Sequence, residues 1–386
     1  MSGIEPINML GKVQHGQVTT MTADSTIPES LRRSKAHSDQ ILEWLQGKGR
    51  ALIIIHDNPD PDCLASAMAL RHLLAMKLSR DATIAFSGMI GRSENLAMAR
   101  VLEMTLTPLC MIDLAEYSAV CMLDTQPGTG NNSLPPDRRV DIVIDHHPRR
   151  EATQKSRWVD IRDDYGVTAT ILYEYLLAHN ITIGTKLATA LFYAIKSETQ
   201  DLGRESNRPD RDAYLHLFPL ANKRLLYEIT NPKLPVEHFR TIHSGVENAT
   251  IYGRLLVVNL QAICFPEVVS EMADYLIRLE GVETVLSMGH YNDEVILSMR
   301  TISHLLNAGE IIRRLVAGRG TAGGHGMMAG GILYNVPRDP AALGEVEAYL
   351  TRAMLTELAI GDVTPARLIE PRPAGSRSAR VLWPGP

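Results

Sequence analysis

Three short apolar segments that each run into ionisable residues constrain the fold of this 386-residue chain more than any other feature. They comprise residues 51–55, 119–123 and 142–144. The first is followed by His56, the second by Asp124, and the third by Asp145-His146-His147. Apolar runs of this length without alternation are typical of strands buried on both faces of a parallel sheet. Helical periodicity lies at 63–78, 168–178 and 185–195, so the pattern predicts a doubly wound α/β domain with a mainly parallel sheet.

A second, smaller α/β unit is expected after a stretch punctuated by prolines. Its candidate strands are 252–260, 282–288 and 295–299, with a helix at 268–279 and a Gly-rich loop at 318–331. We therefore expect five regions: an N-terminal extension and helix at 1–40, a first α/β domain at 41–218, a linker at 219–248, a second domain at 249–360, and an irregular tail at 361–386.

Composition narrows the possible partners. The net charge is −5, from 39 Lys and Arg against 44 Asp and Glu, which does not supply the broad positive field that long duplexes require. The four cysteines show no Cys-x-x-Cys spacing, which argues against a zinc ribbon and against a disulfide framework. No apolar run approaches the ~20 residues that span a bilayer. We expect a soluble, cytoplasmic protein without a membrane partner.

The polar residues at the three strand ends suggest a metal site. Residues placed just after parallel strands converge in one crevice, and here they bring together His56–Asp62, Asp124 and Asp145–His147. Imidazoles and carboxylates without thiolates favour manganese or magnesium over structural zinc. More than four candidate ligands indicate two ions, which could activate water and neutralise charge on a phosphoryl group. Phosphoester hydrolysis is the expected reaction. Two nearby acids, Asp57 and Asp141, are interpreted as ordinary surface or capping residues.

The pattern His56-x-Asn58-Pro59-Asp60-x-Asp62, then Asp124, then Asp145-His146-His147 resembles the first three motifs of the DHH phosphoesterase family. The resemblance implies two divalent ions, with manganese favoured and magnesium the alternative. One ion would be held by His56, Asp60 and Asp124. The other would be held by Asp62, Asp124, His146 and an acid from a fourth motif. Asp124 would thus bridge the ions as a catalytic residue, and His147 would face the substrate phosphate and stabilise developing negative charge.

The fourth motif departs from the family pattern. The family has an Asp at the position where this sequence has Glu198, within Ala194 to Asp201. Glu198 is the expected ligand because a side chain one methylene longer can still reach a metal. Asp201 is the alternative.

The Gly-rich segment also carries a resemblance. Gly318-x-Gly320-x-x-Gly323 matches a dinucleotide-binding fingerprint, but a helix-like stretch precedes it where that fingerprint requires a strand. The run that continues through Gly323, Gly324 and His325 resembles the DHHA1 domain that accompanies many DHH enzymes. The resemblance implies that these three residues, together with Arg300 after the strand 295–299, bind substrate. Two further polar residues fall either in a substrate loop or at a helix N-terminus, namely Arg92 and Asn95.

The resemblance covers about residues 45–335. It implies that 41–218 is a catalytic metal-binding domain and 249–360 a substrate-binding domain, with the active site in the cleft between them and a short ligand bound there. The favoured substrates are short single-stranded oligoribonucleotides and 3′-phosphoadenosine 5′-phosphate. Cyclic or linear dinucleotides, and inorganic pyrophosphate or polyphosphate, stay open as alternatives. A nucleotide-sensing module without turnover is the non-enzymatic alternative, and a homodimer is left open.

Overall fold

A computed structural model describes residues 29–204 and 206–369, apart from the side chain of His325. Residues 1–28 of the expected N-terminal extension and residues 370–386 of the expected tail lie outside the described residues. The expected substrate contact through the His325 side chain lies outside them as well.

The first sheet has six parallel strands in the order β3-β2-β1-β4-β5-β6. The strands are β1 Arg50–Ile55, β2 Ala82–Phe86, β3 Thr107–Pro108, β4 Tyr117–Leu123, β5 Ile142–Asp145 and β6 Trp158–Ile161. The three strands expected from the sequence are β1, β4 and β5, and they lie side by side in the centre. Their residues are buried on both faces, which is why their sequences show no alternation. The predicted doubly wound sheet is confirmed.

Helices cover this sheet. They are α1 Glu29–Gln46, α2 Pro61–Leu78, α3 Ser93–Val101, α4 Thr168–Ala178 and α5 Thr185–Glu198. Helix α2 starts inside the first motif, where the Asp60 carboxylate accepts a hydrogen bond from Cys63 N at 3.0 Å and Pro61 occupies the first turn. Most of α2 is buried, because it packs against α4, α5 and the sheet. The helix that holds two motif acids is therefore fixed by the core.

Three further helices connect the first sheet to the second. They are α6 Arg208–Leu220, α7 Lys223–Thr230 and α8 Val236–Asn248. The prolines that punctuate the sequence fall near their ends: Pro219 lies in the last turn of α6 and Pro235 immediately precedes α8. These prolines do not interrupt the helices, because proline is tolerated at helix starts and ends.

The second sheet is mixed, with the order β11-β12-β10-β9-β8-β7-β13. Its strands are β7 Thr250–Tyr252, β8 Leu255–Ala262, β9 Thr284–Tyr291, β10 Glu294–Thr301, β11 Gly320–His325, β12 Met328–Leu333 and β13 Ala366–Arg367. Only β8 and β9 pair in parallel among the described strands of this sheet. Helices α9 Val268–Leu276, α10 Ala308–Val316 and α11 Pro340–Glu357 complete the unit, with one apolar core on each face of the sheet.

The Gly-rich segment is a β-hairpin, whereas the sequence suggested a loop. Strands β11 and β12 pair from Gly320 to His325, and glycines allow neighbouring elements to approach closely. A Cβ on Gly331 would lie 2.8 Å from Ile312 in α10, and one on Gly320 would lie 1.8 Å from the Ile332 carbonyl oxygen. A glycine run carries no alternating hydrophobic pattern, so the sequence could not reveal these strands. Because α10 precedes the segment and β12 follows it, the order is the reverse of a dinucleotide fingerprint.

The described residues contain no helix that combines the length and the apolarity needed to cross a bilayer.

Candidate metal centre

The candidate ligands converge at the carboxyl edge of the first sheet. His56 follows β1, Asp124 follows β4, and His146 and His147 follow β5. These three strands are neighbours, so their ends meet at one place on the edge. The structure thus brings these side chains together at one edge of the sheet.

Asp124 lies between two sets of donors. It is 2% exposed, and its Oδ2 is 3.6 Å from His56 Nε2, while its Oδ1 is 3.6 Å from His146 Nε2. On the first side, His56 Nε2 is also 3.1 Å from Asp60 Oδ2. On the second side, His146 Nε2 is 3.8 Å from Asp62 Oδ2. One carboxylate therefore turns one oxygen toward each donor set, which is the geometry needed to bridge two cations.

Both histidines are oriented so that Nε2 faces the carboxylates. His56 Nδ1 is 2.9 Å from the carbonyl oxygen of Asp57, and His146 Nδ1 is 3.1 Å from that of Tyr165. A carbonyl oxygen only accepts, so each Nδ1 carries the proton and donates it. When such a ring is neutral its lone pair lies on Nε2, and this is the tautomer that ligates a metal.

The N-terminus of α4 holds two of the acids. The backbone N–H groups of Thr168 and Ala169 each donate to one oxygen of Asp62, both at 2.7 Å. The hydroxyl of Thr168 donates to Asp124 Oδ1 at 3.0 Å. Thr168 therefore contacts both acids, yet nothing in the sequence distinguished it from any threonine at a helix start.

His147 is held by the acid that begins its own triplet. Its Nδ1 lies 2.9 Å from Asp145 Oδ1, an oxygen that also accepts from the backbone N–H groups of His146 and His147. Burial opposes ionisation of Asp145, but the hydrogen bonds and charge of His147, together with a hydrogen bond from Gln126, lower the pKa of that carboxyl. Burial likewise opposes protonation of His147, but the hydrogen bond to Asp145 and the charges of Asp145, Asp62 and Asp60 together raise the pKa of the imidazole.

The carboxylates are crowded. Burial, followed by the charge of Asp60, raises the pKa of Asp62 to about 7. Burial and the same neighbours, Asp60 and Asp62, raise the pKa of Glu198 to about 8. Burial and the charge of Asp62 also raise the pKa of Asp124. Buried like charges are costly without a cation among them, and the oxygen and imidazole donors suit divalent ions. The residues therefore fit a pair of divalent ions.

Glu198 and Asp201 lie in different surroundings. Glu198, at the end of α5, lines a cavity of about 420 Å³ together with Asp60 and Asn58. Asp201 is exposed, forms an ion pair with Lys196 and accepts a hydrogen bond from Tyr214 Oη at 2.9 Å. Of the two acids, Glu198 is the one that the structure brings to the cluster.

Arg300 lies within β10, because the strand expected to end at residue 299 continues to Thr301, and it is only 9% exposed. Its guanidinium donates to Asp274 Oδ1 at 2.5 Å and to Ser298 Oγ at 2.9 Å. It lines a second cavity of about 670 Å³ together with Gly324. Gly323 pairs with Gly330 in the hairpin.

Arg92 reaches the same acid from the other side of the cleft. Arg92 immediately precedes α3, so the helix N-terminus is confirmed, and its Nη2 is 2.8 Å from Asp274 Oδ2. Asn95 Nδ2 donates to the Pro59 carbonyl oxygen at 3.1 Å and so steadies the first motif. Asp274 thus joins arginines from both sheet units, and sequence analysis gave no sign of it because it lies 182 positions from Arg92.

Comparison with known proteins gives matches over both units. Residues 50–195 match the DHH family, N-terminal domain, and residues 252–352 match the DHHA1 domain. An uncharacterized protein of Methanocaldococcus jannaschii is 34% identical over 81% of this chain, which spans only 64% of that relative's length. A second uncharacterized protein of the same organism is 21% identical over 78% of this chain and 91% of its own.

The fold is similar to that of known structures. The crystal structure of an exopolyphosphatase-related protein from Bacteroides fragilis aligns with a TM-score of 0.62 at 16% identity. The alignment covers 84% of this chain and 98% of that one. At this level of identity the likeness extends to the arrangement of the two sheet units and no further.

Proposed function

The chain belongs to the DHH/DHHA1 family of phosphoesterases, and on that premise we propose that it hydrolyses short oligoribonucleotides or 3′-phosphoadenosine 5′-phosphate with the help of two divalent ions, manganese in preference to magnesium. The observation that carries the proposal is the bridging geometry of Asp124, whose two oxygens each lie 3.6 Å from a different histidine.

The two ions are assigned to the donor sets on either side of Asp124. The first set comprises His56, Asp60 and Asp124. The second comprises Asp62, Asp124, His146 and Glu198. Such a pair of ions supplies an activated water and neutralises charge on the attacking and leaving oxygens of a phosphoryl group. The protein holds the donor atoms in place beforehand through the N-terminus of α4 and the two backbone carbonyls that orient the histidines.

His147 is assigned to the substrate phosphate. Its ring is fixed by Asp145, and the hydrogen bond and charge of that carboxylate stabilise the protonated imidazole and help to raise its pKa. An imidazolium donates a charge-assisted hydrogen bond to a phosphate oxygen and stabilises negative charge that develops in the transition state. The assignment makes His147 a substrate-facing group and keeps it out of the ligand sets.

The cleft favours a nucleotide over a bare phosphate chain. The 670 Å³ cavity lies next to the 420 Å³ cavity and shares Asn58, Glu267 and Met328 with it. Much of its wall is apolar, with Met89 from the first unit and Ile296 from the second. An apolar wall binds a nucleobase and gives nothing to inorganic polyphosphate. Arg300 lines the same cavity as the candidate phosphate contact.

The test is manganese-dependent product release from four substrates: a short RNA, 3′-phosphoadenosine 5′-phosphate, a cyclic dinucleotide and pyrophosphate. Asp124→Asn should abolish turnover. The matched control is Asp141→Asn, because Asp141 accepts a hydrogen bond from the backbone N–H of Val120 in the same sheet without touching the cluster. Turnover of pyrophosphate alone would contradict the nucleotide assignment. Nucleotide binding without any turnover would instead favour a sensing module.

A further inference from the structure

We infer that a basic path on the surface beside His147 binds the phosphates of a single-stranded RNA that extends beyond the cleft. The path consists of Arg139, Arg149, Arg150 and Lys155, all exposed. The inference deepens the proposed function, and it rests on that function for its substrate class. It concerns residues outside both the candidate metal centre and the two cleft cavities.

The path begins next to the chemistry. Arg149 is two residues beyond His147, so their Cα atoms lie within about 7 Å of each other. Within residues 29–204 and 206–369, the guanidinium groups of Arg149 and Arg150 form no ion pair and no hydrogen bond. Arg139 has only a long ion pair, 3.7 Å from its Nε to Asp141 Oδ1. These cations are available to an anionic ligand.

Gln126 holds the start of the path in a fixed position. This side chain is fully buried, and its Nε2 lies 3.3 Å from the carbonyl oxygen of His147 and 3.2 Å from that of Pro148. Its Oε1 accepts from the backbone N–H of Arg150 and from the hydroxyl of Thr153, both at 2.8 Å. The backbone from His147 to Thr153 is thus preorganised, which lowers the entropic cost of binding.

The path continues into a surface cavity of about 810 Å³. Arg139 and Lys155 line it, together with the apolar surfaces of Pro127, Pro135 and Pro136. Cations beside flat apolar groups suit a nucleotide, which offers both a phosphate and a base. Bare polyphosphate would use only the cations.

The local charge also favours a polyanion. Two exposed acids, Asp137 and Glu151, accompany the four cations over residues 136–156, so this surface is positive on a chain whose net charge is −5. A local excess of positive charge beside the metal centre would guide a strand toward the chemistry without attracting long duplexes. A strand whose end lies in the cleft would place its next nucleotides over this surface.

The experiment measures fluorescence anisotropy of labelled single-stranded RNAs of two and seven nucleotides, in EDTA so that no turnover occurs. The double variant Arg149→Gln with Arg150→Gln is compared with the wild type at two salt concentrations. The matched control is Arg224→Gln with Arg240→Gln, which removes two exposed arginines from α7 and α8.

We expect the wild type to bind the heptamer about tenfold more tightly than the dimer, and the double variant to lose that advantage. The slope of log Kd against log salt should fall by about 1.4, because each single-strand phosphate contact contributes about 0.7. Dimer binding should stay within about twofold, and the control should match the wild type.

Equal heptamer binding by wild type and double variant would overturn the inference, as would a wild type that shows no dependence on length. A heptaphosphate that displaces labelled RNA better than unlabelled heptamer does would assign the path to polyphosphate and overturn the RNA assignment. Arginine-dependent heptamer binding in a protein that hydrolyses none of the four substrates would support this inference and refute the proposed function, so the two can fail separately.

Discussion

Removing one hydroxyl should weaken metal binding without disturbing any proposed ligand. In Thr168→Val the backbone N–H of residue 168 still donates to Asp62, and the side chain keeps its shape. Only the 3.0 Å hydrogen bond from Thr168 Oγ1 to Asp124 Oδ1 is lost. Because Asp124 is the proposed bridge, its orientation should matter to both ions.

The size of the effect follows from the burial of this contact. A hydrogen bond to a charged group contributes about 1.5–3 kcal/mol, and Asp124 is too buried for water to replace the donor. One factor of ten in affinity corresponds to about 1.4 kcal/mol. The variant should therefore bind manganese about 10- to 100-fold more weakly, which is also the usual effect of removing a partner that orients a metal ligand.

The assay is a manganese titration monitored by calorimetry. The value of kcat/KM is measured separately on the best substrate. The matched control is Thr170→Val. Thr170 lies two residues after Thr168 in α4, and its hydroxyl donates to buried Asp210 at 2.7 Å. Thr170→Val should lose unfolding free energy in EDTA but keep its manganese affinity, whereas Thr168→Val should lose manganese affinity. Wild-type manganese affinity in Thr168→Val, or an equal loss in Thr170→Val, would refute the reasoning.

Three further predictions follow from the same geometry. Glu198→Gln should reduce manganese-dependent turnover at least about tenfold while Asp201→Asn retains it, as steady-state kinetics can show, and the reverse result would move the fourth ligand. In EDTA, thermal melts should show stability falling as pH rises from about 4 to 8. The raised pKa values of Asp62 (about 7) and Glu198 (about 8) mean that the folded state binds more protons than the unfolded state over that range. Manganese should therefore raise Tm more at pH 8 than at pH 5. Asp274→Asn should lower KM for a nucleotide, because the carboxylate that pairs with Arg300 competes with the substrate phosphate. An unchanged or higher KM would show that the acid instead positions the arginine.

The first sheet was readable from the sequence because its signals are local. A run such as 51–55 is apolar since both its faces are covered, and it stops being apolar where the strand leaves the core. His56, Asp124 and His146 could be assigned to one edge because each follows a strand that was expected to be parallel to the others. The hairpin from Gly320 to Leu333 gave no such signal, because glycine contributes no side chain to a pattern.

The choice between Glu198 and Asp201 shows what sequence spacing cannot decide. Helix α5 runs through Glu198, and the backbone then takes positive φ at Gln200, Asp201 and Leu202. The chain turns away there, so an acid three positions beyond Glu198 faces Lys196 and Tyr214 instead of the cluster. Sequence spacing alone therefore cannot predict which of two acids three positions apart lies near the cluster, because that depends on the turn between them.

The sequence by itself determined which residue types stand at the strand ends, and with them the family, the central strands and the chemistry to expect. The tertiary structure decided how those residues are held. The N-terminus of α4 donates hydrogen bonds to Asp62, 106 positions away in the sequence, and Gln126 donates to the carbonyl oxygen of His147, 21 positions away. Strand ends are encoded in neighbouring residues and can be read one segment at a time. Contacts across such separations exist only once the sheet and its helices have packed, because the partners share no local pattern that marks them as a pair.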